Sequence, residues 1–243
     1  MQIIKLNATD STNLYLKDLM NKRSLDDFTI VVADSQTLGR GQMGTKWESD
    51  PHKNLTVSIL KKMESEQFDN PFLLNICVSM AVFNTLKTLH IPSLKIKWPN
   101  DIMSGHFKIC GILIENIISG PRILYSIIGI GLNVNQEKFL DLPNVSSLKL
   151  LTGRNYELDG LLLKLQRELK NSFKVIEEKG ADAIRDQYES VLFRKDKPST
   201  FKDANGQVFM GFIRGVSDQG KLVVAHEDEF LREYNMKEIS LLY

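Results

Sequence analysis

A glycine-rich segment holds the first residues whose types and spacing could do chemistry. It reads DSQTLGRGQMGTKWES and contains G-x-G-x-x-G at Gly39, Gly41 and Gly44. Such loops are typical of sites where a backbone comes close to a phosphate. Arg40 stands between two of the glycines, where its guanidinium could bind an anion through two hydrogen bonds. Trp47 comes three residues after the last glycine and could stack on a base.

The familiar phosphate-binding loops do not fit the residues on the C-terminal side of this pattern. A dinucleotide-binding loop opens a helix, whereas here a polar stretch leads into the strand-like NLTVSIL. A Walker loop needs G-K-[ST], but Gly44 is followed by Thr45 and Lys46. A kinase loop would be accompanied by H-R-D, D-F-G and A-P-E, which do not occur. Taken alone, the loop could equally be a flexible hairpin connection.

Three further clusters place charged or amide side chains at the ends of apolar strands. They are KWPND at residues 97–101, KICGILIE at 108–115 and GIGLNVN at 129–135. An isolated lysine such as Lys97 or Lys108 is ordinarily a solvated surface charge. Three such clusters of charged and amide residues at the ends of apolar strands instead indicate a ligand site at one part of a sheet.

Composition limits the function classes. The chain of 243 residues has 31 Lys and Arg against 30 Asp and Glu, a net charge of +1, so no global basic field favours a nucleic-acid partner. Cys77 and Cys110 lack metal-ligand spacing, and a reducing compartment is the simplest expectation. Neither a signal peptide nor an apolar run of ~20 residues is visible. We therefore expect a cytoplasmic protein with no DNA or membrane partner.

The periodicity of apolar residues predicts an α+β fold. Strands are expected in QIIKLN, TIVVAD, NLTVSILKK, LKIKWP and two longer segments joined by a turn at residues 119–121, which favours a mixed, largely antiparallel sheet. The segment after Pro71 predicts a central helix, and residues 159–179 predict another. After Pro198, short strands with turns at Asn205-Gly206 and Gln219-Gly220 predict a small SH3-like β-barrel. The expected domains are residues 1–194 and 195–243.

The order of these motifs resembles that of the biotin–protein ligases. Members of that family carry S-T-N, G-R-G-x-x-G-x-x-W, K-W-P-N-D, K-x-x-G-I-L-x-E and G-x-G-x-N, followed by a small barrel. This chain has Ser11-Thr12-Asn13 and then each of the other motifs in the same order, so the resemblance covers essentially its whole length. K-W-P-N-D followed closely by K-x-x-G-I-L-x-E is the most specific part. The resemblance implies a class II synthetase-like biotin/lipoate ligase catalytic domain.

The resemblance also implies a reaction. The family joins biotin to ATP, giving biotinyl-5′-AMP and pyrophosphate, and then passes biotin to one lysine of a biotin carboxyl carrier domain of a biotin-dependent carboxylase. The expected substrates are therefore biotin and ATP, with Mg²⁺ on the phosphates. An exposed sheet edge is expected to serve the acceptor domain or a second copy of the chain.

Site residues follow from the resemblance position by position. The catalytic residues implied are Arg40, Lys108 and Asp101. The implied biotin-binding residues are Ser11, Thr12, Asn13, Gln36, Gly39, Arg40, Gly41, Gln42, Lys108 and Gly111. The implied adenylate-binding residues are Arg40, Trp47, Asn100, Lys108 and Asn133. No metal ligand is implied.

One departure concerns the charge of the glycine loop. Many relatives carry extra arginines there, as in G-R-G-R-R-G-R, whereas this chain has Gln42, Met43 and Thr45 and keeps Arg40 and Lys46. Fewer cations imply weaker retention of the adenylate.

Alternatives from other classes stay open on the residues alone. A lipoate–protein ligase or octanoyltransferase would resemble R-R-x-S-G-G-G near the carboxylate, where this chain has G-R-G-Q-M-G. A non-catalytic partner-binding protein that works through its barrel would not need Arg40, Lys108 and Asp101. A biotin-responsive DNA-binding repressor in its usual form is disfavoured by the neutral charge and by a catalytic part that begins within the first dozen residues.

Overall fold

Seven strands form the larger of two sheets. The computed structural model describes residues 2–63, 70–139, 142–228 and 230–243. The strands of this sheet are β1 Ile3–Leu6, β2 Ile30–Ala33, β3 Leu55–Lys62, β4 Leu94–Lys97, β5 Asp101–Ser104, β6 Phe107–Ser119 and β7 Arg122–Leu132, in the order β1-β2-β3-β7-β6-β5-β4. Only β1 and β2 are parallel, and the other neighbours are antiparallel. The mixed, largely antiparallel sheet is thus confirmed.

Helix α2, Pro71–Thr88, is the central helix that the sequence predicts. The side chain of Asn70 accepts from the backbone N–H groups of Phe72 and Leu73, and Pro71 fits the first turn because its missing N–H would be unbonded there. The helix is buried on most sides because it packs between the sheet, α4 Leu158–Lys179 and α5 Ala181–Ser190. The short helix α3, Leu148–Thr152, has no counterpart in the sequence prediction.

Helix α1, Thr12–Lys22, lies against β2, β3 and β7. Leu16 belongs to a small apolar cluster, separate from the main core, that also contains Leu25, Val31, Leu60 and Ile127. Residues 30 and 31 of β2 point to different clusters, as alternation along a strand requires. The sheet therefore has helices on both faces, and the first turn of α1 sits over the strands that carry the glycine motifs.

A five-stranded antiparallel sheet ends the chain. Its strands are β8 Pro198–Asp203, β9 Val208–Val216, β10 Leu222–His226, β11 Leu231–Tyr234 and β12 Ile239–Leu242, in the order β11-β10-β9-β8-β12. Gly206 and Gly220 have φ of 84° and 81°, which confirms the two predicted turns. No pairing joins β11 to β12 within the described ranges, so a closed SH3-like barrel stays a prediction, as does the boundary at residue 195.

The two sheets meet through the K-W-P-N-D turn. The indole nitrogen of Trp98 donates to the carbonyl of Gly220 at 2.9 Å, and Arg185 of α5 pairs with Asp218 in the same turn of the second sheet. Lys97 lies 3.1 Å from the hydroxyl of Tyr243 and over its ring. Trp98 and Lys97 therefore serve packing between the sheets. Among the described residues, no helix has the length and apolar character of a membrane span.

The central position of α2 predicts a large penalty for truncating its apolar side chains. Leu74→Ala removes a fully buried side chain, and we expect a loss of about 2–5 kcal/mol and a fall in Tm of about 5–15 °C. Leu163→Ala in α4 is the matched control because Leu163 is 56% exposed. Thermal unfolding is followed by circular dichroism. If both variants unfold at the temperature of the unmodified protein, the central, buried position of α2 is wrong.

Candidate active site

One cavity of about 220 Å³ brings together most of the residues that the sequence singled out. It lies between the start of α1, the glycine loop and the strands β5, β6 and β7. The predicted residues on its wall are Ser11, Thr12, Asn13, Gln36, Arg40, Gly41, Gln42, Trp47, Asn100, Asp101, Lys108 and Gly111. Segments that are up to 100 residues apart in sequence thus meet around one space.

Two predicted residues lie off this wall. Gly39 faces a groove on the outer side of the loop, and a Cβ at this position would come within 2.9 Å of Gln36 Nε2. Gly39 therefore permits a close approach within the loop. Asn133 is buried, and its amide nitrogen donates to the carbonyl of Ser146 at 3.0 Å.

The adenylate contact of Asn133 stays a prediction, and the residue lies off the wall of this cavity. Ser146, which it binds, donates its backbone N–H to the carbonyl of Lys108 at 3.0 Å. Asn133 thus connects the end of β7 to the segment that runs beside Lys108. Its Oδ1 has no hydrogen-bond partner among the described residues.

A short ion pair forms the charged part of the cavity. Lys108 Nζ lies 2.6 Å from Asp101 Oδ1, with about a third of the lysine side chain and a fifth of the aspartate side chain exposed. The two residues are neighbours because β5 and β6 pair as a hairpin with a bulge next to Ile102. Arg40 and Lys46 add positive charge, and Asp101 is the one carboxylate on the wall among the described residues. The cavity is therefore suited to anions.

The start of α1 supplies neutral hydrogen-bonding groups. The N–H and hydroxyl of Thr12 both donate to Gln36 Oε1, at 2.8 Å and 3.1 Å. Ser58 Oγ lies 2.7 Å from Thr12 Oγ1 and also contacts Asn13 Oδ1. Ser11 holds the N-cap position of α1, yet its side chain does not cap the helix. Because the Ser11 hydroxyl faces the cavity without capping α1, it is free to meet a ligand.

The glycine loop is a narrow hairpin around a single 3₁₀ turn at Gln42–Gly44. Gly41 N–H donates to the carbonyl of Thr45 at 2.7 Å, and Trp47 N–H donates to that of Gly39 at 3.0 Å. Arg40 and Lys46 stand opposite each other in this hairpin. The loop thus presents two cations from facing positions, and it leads into no helix, as the sequence predicted.

Trp47 packs directly onto the glycines of β6 and β7. A Cβ on Gly131 would lie 2.6 Å from Trp47 Cζ2, and one on Gly111 would lie 3.2 Å from Cζ3. Lys108 Nζ is 6.0 Å from the ring centroid. A Cβ on Gly129 would lie 2.6 Å from Asn13 Oδ1. The G-x-G pattern in β7 is required because the indole of Trp47 and the side-chain amide of Asn13 both lie directly against the backbone of these glycines.

Some contributing residues were not identified from sequence. The wall also includes Thr56, Val57, Ile112, Leu113 and Ile130, which read only as strand residues. Ser58 carried a signal, since it is a polar residue inside the largely apolar strand segment NLTVSIL. Glu115 ended a recognised motif, but no role was assigned to it.

The cysteines are not reactive groups. Cys77 and Cys110 are both fully buried. Loss of solvation raises the pKa of each thiol above its usual value. Both are therefore neutral core residues. Within the described ranges, no three His, Cys, Asp or Glu side chains cluster in a way that could hold a metal ion.

The contact between Trp47 and β7 can be tested without a ligand. Gly131→Ala places a methyl group in the space of the indole, so we expect Trp47 to move outward and its fluorescence to shift to longer wavelength. The measurement uses a Trp98→Phe background, which leaves one tryptophan. Gly160→Ala is the control, because its Cβ would meet nothing closer than 4.0 Å. An unchanged spectrum for Gly131→Ala would contradict the packing.

Comparisons with known proteins agree with this geometry. The sequence profile of the biotin/lipoate A/B protein ligase family matches residues 6–133, which is more than half of the chain. The bifunctional ligase/repressor BirA of Escherichia coli is 27% identical over 238 residues, covering 97% of this chain and 73% of that protein. The biotin–[acetyl-CoA-carboxylase] ligase of Mycobacterium tuberculosis is 26% identical over 225 residues, covering 91% and 82%.

A solved structure extends the similarity to the whole fold. The biotin protein ligase from Aquifex aeolicus in complex with biotin and ATP has a TM-score of 0.82 and 27% sequence identity, covering 99% of this chain and 98% of that one. The resemblance to biotin–protein ligases is thereby confirmed, and the chain belongs to the biotin/lipoate A/B protein ligase family.

Proposed function

We propose that the protein is an ATP-dependent biotin–protein ligase, a biotin–[acetyl-CoA-carboxylase] ligase. It joins biotin to ATP and then transfers the biotinyl group to a lysine of a biotin carboxyl carrier domain. The observation that carries the proposal is the single cavity in which Arg40, Lys46 and Lys108 face the neutral donors at the start of α1. The names of the relatives and the biotin–ATP complex of the Aquifex aeolicus protein support the same substrates.

The first step brings two anions together. A carboxylate oxygen of biotin attacks the α-phosphorus of ATP, a new P–O bond forms, and the bond to pyrophosphate breaks. Lys108 and Arg40 offset the repulsion between the carboxylate and the phosphate, and they stabilise the charge that builds in the transition state. The pair with Asp101 holds the ammonium of Lys108 at one place on the wall.

The second step consumes the adenylate. The ε-amine of the acceptor lysine attacks the biotinyl carbonyl carbon, an amide bond forms, and AMP leaves with the electrons of the broken C–O bond. The amine must lose a proton, and Asp101 is the carboxylate on the described cavity wall that can accept it. Asn100 is held in place because its amide nitrogen donates to the carbonyl of Ile112 at 2.5 Å.

Magnesium fits this site as part of the nucleotide substrate. Mg²⁺ is commonly bound by one or two carboxylates together with substrate phosphates and water. The described residues build no cluster of three acidic, histidine or cysteine ligands. The ion would therefore enter on the phosphates of ATP.

The polar start of α1 favours biotin over lipoate. The hydroxyls and amides of Ser11, Thr12, Asn13 and Gln36 match the ureido group of biotin, which both donates and accepts hydrogen bonds. The dithiolane of lipoate has no comparable hydrogen-bonding groups, so it would gain none of these contacts. The indole of Trp47 provides the flat surface for adenine.

The carrier domain is the proposed macromolecular partner. Strand β1 is the edge of the larger sheet that no other strand covers in the described part of the chain, whereas β4 is bonded by Val191 and Phe193. This edge would serve the carrier domain or a second copy of the chain.

The proposal is tested with the pure protein, biotin, ATP and Mg²⁺. We expect release of pyrophosphate and incorporation of labelled biotin into a biotin carboxyl carrier domain. A carrier whose target lysine is replaced by arginine is the control for transfer. Incorporation of lipoate with no incorporation of biotin would overturn the assignment.

The ion-paired lysine gives a second prediction. Lys108→Ala removes a fixed charge where the anions meet, so we expect adenylation to fall by about 10²–10³, the scale of one electrostatic stabiliser. Lys97→Ala is the matched control because Lys97 also ends a strand but lies against Tyr243, away from the cavity. Single-turnover pyrophosphate release measures both variants. Near-normal adenylation in a folded Lys108→Ala protein would show that Lys108 is an ordinary surface charge with no part in the reaction.

A further inference from the structure

We infer that Glu115 is a positioning residue that ties the biotin end of the cavity to the glycine loop. The inference rests on the proposed function. One carboxylate oxygen of Glu115, Oε2, accepts from the amide nitrogen of Asn13 at 2.7 Å. The other oxygen, Oε1, pairs with Nη1 of Arg40 at 3.2 Å. A single side chain thus holds one residue from the start of α1 and one from the glycine loop, two of the segments that enclose the cavity.

Strand geometry places Glu115 where it can make both contacts. Gly111 and Leu113 line the cavity, and residues two apart on a strand share a face. Glu115 is the next residue on that face of β6, opposite Ile127 of β7. It lies one step beyond the cavity wall, so it reaches the ligand-binding residues from behind.

Stability alone does not explain a carboxylate at this position. The Arg40 side chain is 47% exposed and that of Glu115 is 31% exposed, and such pairs contribute little to folding. A negative charge beside a cavity for anions also weakens the local positive potential. The arrangement is understandable if the carboxylate directs Arg40, since a guanidinium has five N–H donors and Glu115 engages one nitrogen. The remaining donors are left for a bound anion.

The contacts of Glu115 continue into the core of the sheet. Asn13 Oδ1 meets Ser58 Oγ, so the connected side chains run from Ser58 through Asn13 and Glu115 to Arg40. They belong to β3, α1, β6 and the glycine loop. A biotin head group that fixes Asn13 would therefore also fix Glu115 and, through it, Arg40. Biotin bound first would place the arginine before the adenylate forms.

The Glu115→Gln variant separates the two contacts. Its amide oxygen can still accept from Asn13, but its NH₂ group would face Arg40 and repel it. We expect biotin affinity, measured by calorimetry without ATP, to stay within about 3-fold, while the adenylate escapes about 10-fold faster, the scale of one hydrogen bond to a charged group. Glu48→Gln is the control, since it makes the same charge change on the exposed end of the loop. Equal escape from Glu115→Gln and the unmodified protein would overturn the inference.

A double-mutant cycle tests whether Glu115 acts through Arg40. We expect Arg40→Met with Glu115→Gln to release adenylate no faster than Arg40→Met alone, because the second change has nothing left to position. Multiplicative effects would show a separate structural role and would refute the inference.

Trypsin provides a measurement that does not depend on activity. In the ligand-free protein, we expect cleavage after Arg40 to be about 10-fold faster in Glu115→Gln, since the guanidinium is no longer held, and unchanged in Glu48→Gln. Equal rates of cleavage after Arg40 in Glu115→Gln and the unmodified protein would show that Glu115 does not position Arg40. If cleavage after Arg40 changes as expected but the unmodified protein releases no pyrophosphate, the proposed function is wrong while the contact between Glu115 and Arg40 stands.

Discussion

The short ion pair between Lys108 and Asp101 is the interaction on which the charged part of the cavity depends. The two charged atoms lie 2.6 Å apart because β5 and β6 form a tight hairpin. A lysine at the end of a strand would otherwise move freely in water. Here the strand register fixes where its charge sits, and the aspartate fixes its direction. The sheet thus acts as the rigid support for the charges of the cavity.

A bare backbone is the second requirement, and it explains the glycines better than phosphate binding does. Gly129 and Gly131 lie on β7 beneath Asn13 and Trp47, where any Cβ would overlap with a side chain. The loop glycines act differently, since Gly39 and Gly41 allow the two sides of the hairpin to approach. The G-x-G-x-x-G pattern therefore describes a hairpin that carries a cation, whereas dinucleotide-binding loops use similar spacing to open a helix.

The sequence predicted the parts of the fold that depend on local periodicity and motifs. The strands, the central helix and the residues around the cavity were accessible because apolar spacing and motif order carry that information. The roles of Asn133 and Glu115 were not accessible, because both depend on which partner the folded chain brings near. Asn133 and Asn100 look alike in sequence, since both are amides beside strand ends. In the fold, however, Asn133 donates to Ser146 in the segment beside Lys108, whereas Asn100 lines the cavity. Helix α3 was missed because five residues are too few for a helical period to be recognised.

The indole of Trp98 joins the catalytic sheet to the C-terminal one through the carbonyl of Gly220. Trp98 is two residues from Asn100 and three from Asp101, so one short turn faces the cavity on one side and the second sheet on the other. The C-terminal sheet therefore supports the turn that carries Asn100 and Asp101, although none of its described residues lines the cavity. Any residue supplies a backbone carbonyl, but Gly220 has a φ of 81° and a Cβ there would overlap with the ring of Phe72 in α2, so this turn requires glycine. A larger residue at position 220 would therefore disturb both the packing against α2 and the hydrogen bond from Trp98.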